Sequence, residues 1–127
     1  MESIMNRPLK FRVWDKIRLQ FIYPENNNQQ HFIIDLNGQF HNLQNGSGGN
    51  DYVVQQYTEL KDKNDKEICE GDILEWKGEF IAEVFFEQEN AAFVSKSKTD
   101  GKAFMSENYV LNFQIIGNIF EHSELLN

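Results

Sequence analysis

The chain has 127 residues and a formal net charge of −8, with 40% hydrophobic and 25% charged side chains. That length suits one domain with a sizeable core, and no apolar run reaches the roughly 18 residues of a membrane helix. The charge is uneven: +3 over residues 1–23, −6 over 24–72 and −5 over 73–127. A main partner with a phosphate backbone is therefore disfavoured, because such binding needs a basic face that releases counterions.

Eleven Phe, four Tyr and two Trp point to a β-rich core, since rings pack well on pleated surfaces. The N-terminal "MESIMNRPLK" has no secretory apolar stretch. Cys69 stands alone, so no intrachain disulfide is expected and a reducing cytoplasm fits. The expected location is the cytoplasm.

In chain order, "LKFRVWDK" (9–16) alternates as a half-buried strand, with Phe11 and Val13 on one face and Lys10, Arg12 and Trp14 on the other. "YPENNNQQ" reads as a polar loop. "HFIIDLNGQFHNL" (31–43) carries Asn37-Gly38 between apolar segments, a hairpin signal. A two-residue turn there would pair Leu36 with Gln39 and Ile34 with His41. His41 would then share a face with Phe32, Ile34 and Leu36, and His31 would lie on the opposite face with Ile33, Asp35 and Phe40. "QNGSGGND" (44–51) has the composition of a flexible linker. It would divide an N-terminal strand and hairpin lobe (8–43) from a barrel-like β lobe (52–127).

"YVVQQY" (52–57), "DILEW" (72–76), "FIAEVFFE" (80–87), "AAFVSKS" (91–97) and "FQIIGNIF" (113–120) read as strands, with "KGE" and "KTDGK" as connections. Phe80, Ala82, Val84 and Phe86 share a face expected to be core. Residues 103–111 fit a short helix or an irregular loop equally. In "HSELLN" Ser123 is placed to cap one helical turn, and His122 is expected in an exposed tail. Short strands and little helix predict a mainly β fold, a small barrel-like or sandwich domain of antiparallel strands.

Three blocks, "FRVWDK" (11–16), "QYTELKDKNDKEICEGDIL" (56–74) and "IIGNIFEHSELL" (115–126), together resemble the YopX-like family of phage and prophage proteins. The resemblance spans nearly the whole chain and implies a compact, mainly β fold, without catalytic or binding residues to carry over. It also implies a phage or prophage protein in a bacterial host cell. The family pattern "TGLKDKNGKEIYEGD" has Gly where this chain has Glu59 and Asp65, and an aromatic where it has Cys69. A type I turn followed by a left-handed residue fits this stretch, and Asp65 tolerates that conformation. Glu59 does not, so a glycine is not expected to be a backbone requirement at that position. Gly71 in "EGD" would permit a sharp bend into the next strand.

The acidic residues Asp62, Asn64, Glu67, Glu70 and Asp72 do not match a calcium loop, since Lys66 and Glu67 fall where a ligand and a glycine belong. A solvated turn is the reading. Cys69 lies between acids, which raise a thiol pKa, so packing rather than nucleophilic chemistry is expected. Neither a catalytic set nor a cofactor or metal motif is present. Lys10, Arg12, Trp14 and Lys16 could form a basic, aromatic patch of the kind that holds single-stranded nucleic acid, and Lys96, Lys98 and Lys102 a second basic group. Two functions follow: a non-enzymatic protein-interaction module acting on an unidentified phage or host protein, alone or as a homo-oligomer; or an accessory nucleic-acid binder.

Overall fold

The computed structural model describes residues 6–24, 31–99 and 101–127. The protein is mainly β and antiparallel, with a sheet curled as a half-barrel. It divides into two compact units, Met1–Gln56 and Tyr57–Asn127. Part of the predicted loop after Tyr23, residues 25–30, and Asp100 of the "KTDGK" turn lie outside the described residues.

In the first unit β1 (Phe11–Asp15) lies between β2 (Gln20–Ile22) and the start of β5 (Tyr52–Lys61). This central position buries Arg12, Val13, Trp14 and Asp15 alike. The half-buried strand read from alternation is therefore buried on both faces, because its pairing with β5 joins residues some forty positions apart in sequence. Asp15 closes the connection to β2: its Oδ1 accepts from the Ile17 and Arg18 amides at 2.9 and 3.0 Å.

The hairpin of β3 (Phe32–Ile34) and β4 (Phe40–Asn42) is present, with Ile33 opposite His41 and Ile34 opposite Phe40. The predicted register is off by one. Asp35 pairs with Gln39 around a three-residue loop in which Gly38 has φ +78°. The Asp35 carboxylate selects that loop by accepting from the Asn37 and Gln39 amides, both at 2.9 Å. A one-residue slip reverses faces, so His41 sits beside Asp35 rather than with Phe32 and Ile34.

Residues 44–51 are not a bare linker. They fold back on β4 through Asn42 N–H to Ser47 O (2.8 Å) and a bridge between His41 and Gly48. A Cβ on Gly48 would lie 2.4 Å from the Phe40 carbonyl oxygen, so close backbone approach, not flexibility, requires this glycine. The boundary between units falls after Gln56, inside β5.

In the second unit β5 continues and pairs with β6 (Glu67–Cys69). β7 (Asp72–Trp76), β8 (Phe80–Glu87), β9 (Ala92–Ser97), β10 (Gly101–Phe104) and β11 (Gln114–Asn118) form a sheet of order β10-β9-β8-β7-β11. Ile68, Leu74, Val84, Val110 and Phe113 form its core, with Phe80 packed against them. Phe86 is the exception to the predicted core face. It is 42% exposed near the end of β8 and meets Phe93 edge-on at 5.3 Å.

β10 and α1 (Glu107–Val110) occupy the stretch whose sequence left helix and loop equal. Ser106 caps α1 by accepting from the Tyr109 amide at 3.2 Å. At the C-terminal end Ser123–Leu126 form a 3-10 turn whose cap position is His122, so Ser123 lies within the turn rather than before it. His122 is half-buried, not exposed. Its Nδ1 accepts from the Asn118 amide at 3.2 Å, and its ring would clash with any Cβ at Gly117.

The acidic stretch is the predicted hairpin turn. Asp62 N–H donates to Lys66 O at 2.8 Å, Asp65 N–H to Asp62 O at 3.0 Å, and Asp65 has φ +65°. Gly71, at φ +83°, makes the expected bend into β7. Glu59 differs from expectation: its φ is +73°, within the irregular pairing of β5 with β6. The glycine of the family pattern thus answers a backbone need, which this chain meets with a strained glutamate. Glu59→Gly should raise stability by about 0.5–1 kcal/mol, the left-handed penalty relieved less the added entropy of the unfolded chain. Urea unfolding measures it, and a lowered midpoint would mean that contacts of the Glu59 side chain outweigh the strain.

Candidate functional site

Of the four residues in the basic, aromatic N-terminal patch, Lys16 is exposed and Lys10 half-buried, whereas Arg12 and Trp14 are each 6% exposed. The Arg12 guanidinium lies 4.4 Å over the Phe21 ring, and its Nε donates to Gln55 Oε1 at 2.9 Å. Trp14 meets Phe21 edge-on at 4.9 Å. The structure thus turns the two groups best suited to a base or phosphate toward the protein's own side chains. In the second basic group Lys102 bonds Glu87, and Lys96 stands opposite Glu83 on the paired strand. Each of these two lysines faces an acid.

The acids themselves act as backbone acceptors. Asp62, 6% exposed, receives the Asn64 and Lys66 amides at Oδ1 and the Ile115 amide at Oδ2, all at 2.9 Å. Asp72 Oδ2 receives the Cys69 amide at 2.8 Å. Asp35 repeats the arrangement, and its Oδ2 lies 2.8 Å from His41 Nε2. The Gln39 amide, with His41 beside it, holds the Asp35 carboxyl below its ordinary range. His31 packs edge-on to Phe32 at 4.6 Å. Among the described residues no group of three or more His, Cys, Asp or Glu is placed to hold a metal ion. Cys69 is fully buried.

Among the described residues of the second unit, two clefts stand out. The larger, about 390 Å³, lies between the outer face of β8 and β9 and the C-terminal 3-10 turn, with Ile81, Glu83, Lys96, Leu125 and Leu126 in its walls. Burial pushes the Glu83 carboxyl above its ordinary range, and Lys96 partly offsets this. A carboxyl raised in this way holds its proton more tightly when folded. Its stabilising contribution is complete below the unfolded-state pKa and is lost as pH rises through the raised value. Glu83→Gln should therefore raise the melting temperature at neutral pH and flatten its decline as pH rises above the ordinary glutamate range. A lower melting temperature for the variant at neutral pH would show that attraction to Lys96 outweighs the burial.

The smaller cleft, about 220 Å³, is lined by Trp76, Phe80, Tyr109, Asn112 and Phe113. Trp76 and Phe80 face one another across the turn of the β7–β8 hairpin. Tyr109 comes from α1, and Phe113 follows that helix. Phe113, 5% exposed, is the floor, with its ring centroid 5.7 Å from Phe80, 4.9 Å from Tyr109 and 6.3 Å from Trp76. The Tyr109 hydroxyl is tied to Ser95 Oγ at 2.8 Å, which holds its ring in place. Sequence reasoning missed this site. Its one local signal was a Ser-Glu capping pair ahead of Tyr109, which marks a short helix, with Phe113 in the turn that follows.

These features define a class: a mainly β protein of short antiparallel hairpins, braced by aspartates at its turns and carrying an aromatic cleft. Among the described residues no helix is long and apolar enough to cross a membrane. The family is that implied by the three sequence blocks. The YopX protein family profile matches residues 10–127, and the chain belongs to the YopX family. Among solved structures it is similar to protein EF1440 from Enterococcus faecalis, at 26% identity and TM-score 0.64, covering 96% of this chain and 100% of that one. It also shares the fold of protein yopX from Bacillus subtilis, at 19% identity and TM-score 0.63, covering 93% and 98% respectively. No curated protein has a significantly similar sequence.

Proposed function

We propose that this chain is a non-enzymatic protein-interaction module, made by a phage or prophage and acting in the bacterial cytoplasm on a phage or host protein. The observation that carries the reading is the aromatic cleft. Its floor is buried, while Trp76 remains 38% exposed at its wall. Large rings left open to solvent and fixed by packing are the groups that dominate binding energy at protein interfaces. The burial of Arg12 and Trp14 weighs against the nucleic-acid alternative, since a stacking platform needs its rings and cations in solvent.

Affinity purification from cells containing the phage tests the proposal. Recovery of one protein, or of a second copy of this chain, at fixed stoichiometry and moderate salt supports it. Fluorescence anisotropy with labelled single- and double-stranded oligonucleotides over a salt series supplies the other arm. Only weak binding that fades as salt rises is expected. Submicromolar affinity at about 150 mM salt, abolished by Lys10→Glu with Lys16→Glu, would replace the proposal with a nucleic-acid function.

A further inference from the structure

We infer that the larger cleft of the second unit, beneath the C-terminal 3-10 turn, binds a small zwitterion with an apolar body, of which a free aliphatic α-amino acid is the simplest. This goes beyond the partner surface proposed above. Ile81 and Glu83, which line this cleft, lie on the opposite face of β8 from Phe80, which lines the aromatic one.

Size allows such a ligand. At about 390 Å³ the cleft falls at the small end of the roughly 300–1,000 Å³ of pockets that hold small molecules. Its floor is two adjacent strands with charge sorted between them. β8 and the turn before it supply the acids Glu83 and Glu79, while β9 and the residues after it supply Lys96 and Lys98. Glu83 stands directly opposite Lys96. Neighbouring strands lie about 4.8 Å apart, and the long side chains of both rows can reach an ammonium and a carboxylate held on one carbon.

The balance of charge selects the class. Two acids and two lysines leave the lining without net charge. An anion or a cation alone would meet one matched row and one opposed row, whereas a zwitterion meets a partner on both. These groups are also unspent. Among the described residues no ion pair or side-chain hydrogen bond engages the side chains of Glu79, Glu83, Lys96 or Lys98. Elsewhere on the same sheet Glu87 and Lys102 do join. Burial disfavours the charged form of Glu83, and an ammonium placed against it would return part of that loss.

The remaining wall is aliphatic. Leu125 and Leu126 of the 3-10 turn face Ile81 of β8, and all three are half-buried. They leave apolar surface for a side chain of the ligand to cover. The interior of a peptide matches this site less well, because backbone amides stand where the ammonium and carboxylate would be and leave the four charges without partners.

The test is a titration of the whole chain at neutral pH with four probes, followed by the backbone amide signals of Ile81, Glu83, Lys96 and Leu125. Leucine carries every feature; leucinamide lacks the carboxylate, 4-methylpentanoate the ammonium, and glycine the aliphatic side chain. Leucine should give saturable shifts at these positions. Each of the other three should bind at least about tenfold more weakly, the loss expected for one charge-assisted contact or one buried aliphatic group. Glu83→Gln should weaken leucine and leucinamide but not 4-methylpentanoate. Lys96→Gln combined with Lys98→Gln should weaken leucine and 4-methylpentanoate but not leucinamide. Both lysines are exposed, so that variant should remain folded, and the crossed pattern is one that a structural defect would not produce. No saturable shift at about 10 mM leucine overturns the inference. So does any of the three controls binding as tightly as leucine, or leucine binding left unchanged by both variants.

Discussion

Asp62→Ala should destabilise the protein by about 2–4 kcal/mol. Three backbone amides lose their acceptor, and a donor left unsatisfied costs roughly 1–3 kcal/mol when buried. Asn64 and Lys66 are exposed, so water can replace part of what their amides lose, while Ile115 is half-buried in β11. Asp62→Asn should fall between wild type and alanine, because one side-chain oxygen remains for the turn while the amide nitrogen cannot accept from Ile115. Urea unfolding of the three proteins checks the order. The same residue answers whether the acidic stretch is an ion site. Calorimetry with Ca²⁺ should give no saturable heat, since both Asp62 oxygens are already committed to amides. Micromolar Ca²⁺ binding that Asp62→Ala or Asp65→Gly removes would refute the structural role.

Phe113→Ala should cost about 3–5 kcal/mol, the range for a buried phenylalanine whose cavity only partly collapses. Phe113 floors the aromatic cleft and joins the core formed by Leu74, Val84 and Val110. A loss of that size endangers a domain of ordinary stability. Phe86→Ala, on the face first expected to be core, should cost less than about 1.5 kcal/mol, because 42% of Phe86 is exposed and Phe93 is its ring partner. Thermal and urea unfolding of the pair discriminates: equal losses would mean that Phe86 is buried after all. The two changes also separate fold from site. Phe86→Ala should leave any ligand of the cleft bound as before.

The two aspartate-braced hairpins show where sequence and structure part. Asp62-Lys63-Asn64-Asp65-Lys66 and Asp35-Leu36-Asn37-Gly38-Gln39 adopt the same turn, with the first carboxylate receiving two amides and the fourth residue left-handed. The first is legible in the sequence, because the family pattern places glycine at the fourth position. The second is not: its Asn-Gly pair alone fits a two-residue turn, and the Asp35 carboxylate selects the longer loop. That one brace sets the face on which His41 lies.

What the sequence determined by itself was local. Period-two apolar runs specified most strands of the second unit, β7 and β8 to the residue, because alternation follows from the pleat and needs no partner. The turn at Asp65 and the bend at Gly71 were likewise set by backbone sterics within a few residues. Only the tertiary structure decided which faces are covered. Arg12 and Trp14 are buried because β2 and β5 flank β1, and Glu59 is left-handed where β5 and β6 lose register. The aromatic cleft exists because α1 and the turn that follows it carry Tyr109 and Phe113 to the Trp76–Phe80 hairpin end. Burial depends on long-range pairing, and a cleft depends on two segments some thirty residues apart meeting in space; neither leaves a period in the chain.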